Sequence, residues 1–124
     1  MLSTVEVTVE AFVHELREGY RRTWGDVDPE VPSIIAWAAS TTLEVISHSD
    51  ALYHGVEHTI HVTLVGQELL RGLHIKRGGV SPVDWLQVVV SLLCHDIGYV
   101  RGICRRDDGA VCATGKGDET VTLP

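Results

Sequence analysis

The stretch SPVDWLQVVVSLLCHDIG, Ser81 to Gly98, constrains the fold more than any other part of the chain. The Ser81 hydroxyl can accept from the free amides of a helix start, Pro82 fits the first helical position, and Asp84 sets a negative charge near the helix's positive end. These three residues predict a helix beginning at Pro82. Trp85, Leu86, Val88, Val89, Leu92 and Leu93 follow, apolar on nearly every side, and the helix should reach His95 before Gly98. A helix of this kind is expected to be central and buried.

Three earlier segments carry the same periodicity. Val9, Phe12, Val13, Leu16, Tyr20 and Trp24 recur at three- and four-residue steps with charged residues between them, which predicts an amphipathic helix from Ser3 or Thr4 to Gly25. GDVDPEVP turns the chain. Pro32 is placed to begin a second helix with Ile34, Ile35, Ala38, Leu43 and Ile46 on its inner side, and SHSD breaks it. A third helix is expected from about Tyr53 or Gly55 to Leu73, striped by Val56, Ile60, Leu64, Leu69 and Leu70 and stopped by Gly72 and the pair Gly78 and Gly79.

After Val100 the character changes. RGICRRDDGAVCATGKGDETVTLP mixes glycines with scattered charges and predicts an irregular or disordered tail. Its ATGKGDET segment lacks the GxxxxGK[ST] spacing of a phosphate loop. The expected class is all-α: a compact multi-helix bundle over residues 1–100, followed by a tail over 101–124.

A chain of 124 residues with 44% apolar content can bury one core. Its formal charge of −7 repels a phosphate backbone, so no nucleic acid partner is expected. A small phosphorylated ligand is compatible with it, because a metal ion reverses the charge of a pocket locally. Cys94, Cys104 and Cys112 form no CxxC pair and fit a reducing compartment. No basic n-region and no apolar run of about 18 residues occurs, so no membrane span is expected and the cytoplasm is the expected location.

The chemistry gathers in two places. YHGVEHTIHV, Tyr53 to Val62, puts His54, His58 and His61 at four- and seven-residue steps, on nearly one face of a helix. Imidazoles at that spacing can meet one divalent ion, but a helix surface can also simply carry histidines. His95 and Asp96 close an apolar helix, where a carboxylate needs a cation or strong donors to face. One neutral nitrogen beside one anionic oxygen suits zinc, manganese, iron or, with waters, magnesium. The competing reading is a helix end with His95 over a carbonyl and Asp96 opening a turn. The two stretches together favour the metal.

In these residues the sequence resembles the HD superfamily of metal-dependent phosphohydrolases, with His58, His95 and Asp96 on its first three ligand positions and HDIGY as its central motif. YHGVEHTIHV is also similar to the YHNxxHxxDV signature of the cyclic nucleotide phosphodiesterases. The resemblance covers roughly Tyr53 to Tyr99 and implies an HD-type helical domain binding one or two divalent ions. It implies His58, His95 and Asp96 as metal ligands, His54 as proton donor to the leaving oxygen, and His61 behind the ligands or on substrate phosphate. The implied substrate is a small phosphorylated molecule, a nucleotide and first a 3',5'-cyclic one, with a homo-oligomer open.

The sequence also departs from that pattern. Gly55 stands where the signature has asparagine, and His61 where it has aspartate. The family's last ligand is an aspartate on a later helix, and Asp107, Asp108 and Asp118 are the aspartates that follow the HD pair here. One of them substitutes, or the domain continues past residue 124, or the metal site is incomplete. An incomplete site would make the chain a regulatory or nucleotide-binding HD module.

Overall fold

The computed structural model of the protein describes residues 4–48, 52–95 and 97, with residues 52–54 described by their backbone. Four helices and no strand are present among them: α1 (Thr4–Trp24), α2 (Glu30–Ser47), α3 (Leu52–Arg77) and α4 (Pro82–Cys94). The all-α bundle expected from the periodicity is what forms. The expected tail over 101–124 lies outside the described residues.

The α1–α2 turn is held by its own backbone and by one side chain. Gly25 takes a left-handed φ of 63° and its amide donates to Arg21 O at 2.8 Å. The Tyr20 hydroxyl donates to Val27 O at 2.5 Å, and Asp28 adopts φ 45° ahead of the next helix. That helix starts at Glu30, two residues before the start expected at Pro32. The first four amides of a helix have no partner within it, so a proline in the first turn removes no bond.

The start of α4 matches its chemistry. Ser81 Oγ accepts from the Asp84 amide at 3.1 Å, and Asp84 Oδ2 accepts from the Ser81 amide at 3.0 Å, a reciprocal cap that satisfies two otherwise free donors. At its other end α3 outruns the expectation by four residues. Gly72 has open space where a side chain would stand and does not end the helix, because one glycine costs only about 1 kcal/mol in a helix held by packing. The stop comes at Gly78, which takes φ 72° and donates to His74 O at 2.8 Å.

The core joins Phe12, Leu16 and Tyr20 of α1, Val31, Ile35, Ala39, Leu43 and Ile46 of α2, Val56 of α3, and Trp85, Val89 and Leu93 of α4. Two helices pack on all the others, and they are α2 and α3. The expected centrality of α4 is therefore corrected. It packs on α2 and α3, meets α1 through ring contacts of Trp85, and leaves Val83 and Val88 exposed.

Of the expected stripe on α3, Val56 is in the core and Ile60, Leu64 and Leu70 pack against it, and Leu69 is the exception. Leu69 is 71% exposed, whereas Thr59, Thr63 and Gln67 are at most 1% exposed. Ile34 of α2 is likewise exposed. Two glycines explain the tight seating of α3. A side chain on Gly19 would overlap the Gln67 carboxamide, and one on Gly66 would overlap Leu92.

Candidate metal centre

The first turns of α3 and the last turn of α4 lie at one end of the bundle, where Gly66 and Leu92 hold the two helices close. Positions 54, 58 and 61 all fall within α3, so the four- and seven-residue spacing is realised on a continuous helix. His58 and His61 are exposed. His95 follows Cys94 as the cap of α4 and is also exposed.

The rings of His58 and His95 face each other across the helix pair, with centroids 5.5 Å apart and planes at 53°. This joins the two stretches that the sequence keeps 37 positions apart. His95 Nδ1 lies 2.6 Å from Leu92 O. A carbonyl oxygen only accepts, so Nδ1 carries the proton and Nε2 of the neutral ring is the nitrogen with a lone pair. Histidines that bind metals are commonly oriented in this way, one ring nitrogen donating to a backbone carbonyl while the other faces the ion.

The separation of the two rings is compatible with a shared ion. With about 2.1 Å from nitrogen to ion, each ring centre lies about 3 Å from a coordinated ion, so two rings can share one across about 6 Å. Asp96, the expected anionic ligand, falls outside the described residues, as does the side chain of His54. His61 is on α3, one turn beyond His58 on the solvent side. Glu57 is exposed. Among the described residues no group of three or more potential ligands assembles.

The model of the Npun_R2479-like family matches residues 2–124 of the chain. The chain belongs to the Npun_R2479-like family. No curated protein and no solved structure matches it. The match to the Npun_R2479-like family spans both histidine stretches. No described helix of this Npun_R2479-like protein is long and apolar enough to cross a membrane.

The bond between His95 Nδ1 and Leu92 O is the helix-end arrangement that the sequence offers beside the metal, with His95 over a carbonyl. One feature escaped the sequence. His74 reads as an ordinary helix-end residue, yet it is half-buried and packs its ring on Trp24 with centroids 4.5 Å apart. A tryptophan at the end of α1 and a histidine in the last turn of α3 were the signals for that contact.

Proposed function

We propose that this protein is a metal-dependent phosphohydrolase of the HD type, acting on a phosphoester or phosphodiester of a nucleotide, with a 3',5'-cyclic nucleotide as the first substrate class. The reading is supported above all by the facing of His58 and His95, with Nδ1 of His95 already committed to Leu92 O. His58, His95 and Asp96 would hold the ion. A divalent ion there supplies Lewis acidity toward water and toward the phosphoryl oxygens.

The chain's own residues divide the remaining work. The Leu92 carbonyl fixes the tautomer of His95, so its lone pair is presented without a prior proton shift. His54 precedes His58 by one helical turn and is assigned to deliver a proton to the leaving oxygen, a task that suits an imidazole near neutral pH. His61 is assigned to substrate phosphate or to support of the ligands.

The test begins with metal analysis of protein purified without a histidine tag, for the wild type and for His58→Ala and His95→Ala. Hydrolysis of cyclic and acyclic nucleotides is then measured with manganese, iron, zinc and magnesium. Stoichiometric metal that is lost in both variants, together with turnover that His54→Ala reduces, is the expected result. Bound metal without turnover would place the protein among regulatory HD modules. Metal binding indifferent to both substitutions would remove the HD reading.

A further inference from the structure

The opposite end of the bundle, where α1 and α3 finish and α4 begins, holds buried nitrogen groups with no partner among the described residues. Trp24 Nε1, Trp85 Nε1, Arg71 Nε and His74 Nδ1 are each buried without a hydrogen-bond partner. Trp85 is fully buried. The groups are neighbours. His74 packs on Trp24 at 4.5 Å, Trp24 meets Trp85 edge-on at 6.2 Å, and Arg71 stands one turn before His74 on the same face of α3.

The two indole N–H groups and the guanidinium can only donate. Arg71 also brings a permanent positive charge, and the ion pairs among the described residues, Arg21 with Glu18 and Arg22 with Glu15, lie on α1. Asp84, in the first turn of α4, is occupied by its own cap. Asp28 and Glu30 lie beside Tyr20. Buried donors are almost always matched by acceptors, and these three have none among the described residues. Arg71 and His74 are half-exposed, so the cluster borders the surface there.

We propose that this cluster is a binding site for a small oxyanion, a phosphate or carboxylate group, held by Arg71, Trp24 and Trp85 with His74 as a fourth contact. A negatively charged oxygen matches a charged guanidinium and two neutral N–H donors at once, which water does less strongly. The site is separate from the candidate metal centre and does not depend on it.

The full chain would be titrated with inorganic phosphate and, separately, acetate, each at constant ionic strength set with chloride and with a chelator present. Trp37, on α2 and 69% exposed, is replaced by phenylalanine so that fluorescence reports Trp24 and Trp85. A saturable fluorescence change with a rise in unfolding temperature is expected for at least one anion, and which anion responds identifies the group recognised. Arg71→Met should weaken that binding by about tenfold or more. If Arg71→Met does not fold, Arg71→Lys keeps the charge and removes the Nε donor, and should weaken binding in the same direction. No saturable response beyond chloride, or a response that ignores Arg71, would overturn the proposal.

Discussion

Gln67 of α3 lies with its carboxamide where a side chain on Gly19 of α1 would have to go. Gln67 is 1% exposed, so the amide cannot swing into solvent to make room. Gly19→Ala should therefore destabilise the protein by about 1 to 2 kcal/mol, overpacking outweighing the gain in helix propensity. Shortening the partner with Gln67→Ala should shrink that penalty by about 1 kcal/mol, read from urea unfolding of the four proteins of a double-mutant cycle.

Thr63 should tolerate loss of its hydroxyl. Thr8 and Thr23 donate their hydroxyls to the carbonyl four residues back, whereas Thr63 Oγ1 is buried with no partner among the described residues. Thr63→Val is expected to raise stability by about 1 kcal/mol, while Thr23→Val lowers it by a similar amount. A clear loss at position 63 in urea unfolding would reveal an internal acceptor or water at that hydroxyl.

Tyr20 should impose an alkaline limit on stability. Burial raises its phenol above the ordinary value of 10.0, and the negative charges of Asp28 and Glu30 push it the same way. The folded protein therefore holds the phenolic proton more tightly than the unfolded chain. That contribution is whole below the unfolded value and is lost as pH rises through the folded one. Unfolding curves above about pH 10 should show the decline in the wild type, and Tyr20→Phe should flatten it. At neutral pH the same substitution costs about 1 kcal/mol through the bond to Val27 O.

His95 should prefer one amide replacement over the other. Nδ1 faces Leu92 O, so under the proposed function Nε2 would be the nitrogen that meets the ion. Glutamine extends its amide toward the Nε2 position, while asparagine ends near Nδ1. Metal content after dialysis should fall in the order wild type, His95→Gln, His95→Asn. Equal retention by the two amides would show that Nδ1 is not committed to the carbonyl.

How far the letters carried differs from element to element. The start of α4 was legible because Ser81, Pro82 and Asp84 act on amides within one turn of themselves. The resemblance implies His58, His95 and Asp96 at one point, and the structure places the centroids of the first two rings 5.5 Å apart. Asp96 and the His54 side chain lie outside the described residues. The inward face of α3 was legible in part, since Val56 lies in the core and Ile60, Leu64 and Leu70 pack against it. Periodicity assigns the core to leucines, but close approach at Gly19 and Gly66 sets the rotation of the helix, and that turns Thr59, Thr63 and Gln67 inward and Leu69 out. Glycine contacts of this kind depend on the neighbouring helix, which local sequence does not reveal.

Leu92 holds two offices at once. Its side chain seats against Gly66, and its carbonyl steadies the imidazole of His95. The spacing of the histidine pair is thus inherited from a leucine and a glycine that no ion would ever touch. The two rings can therefore be parted remotely: a bulkier residue at position 66 would push α3 and α4 away from each other while leaving both imidazoles untouched.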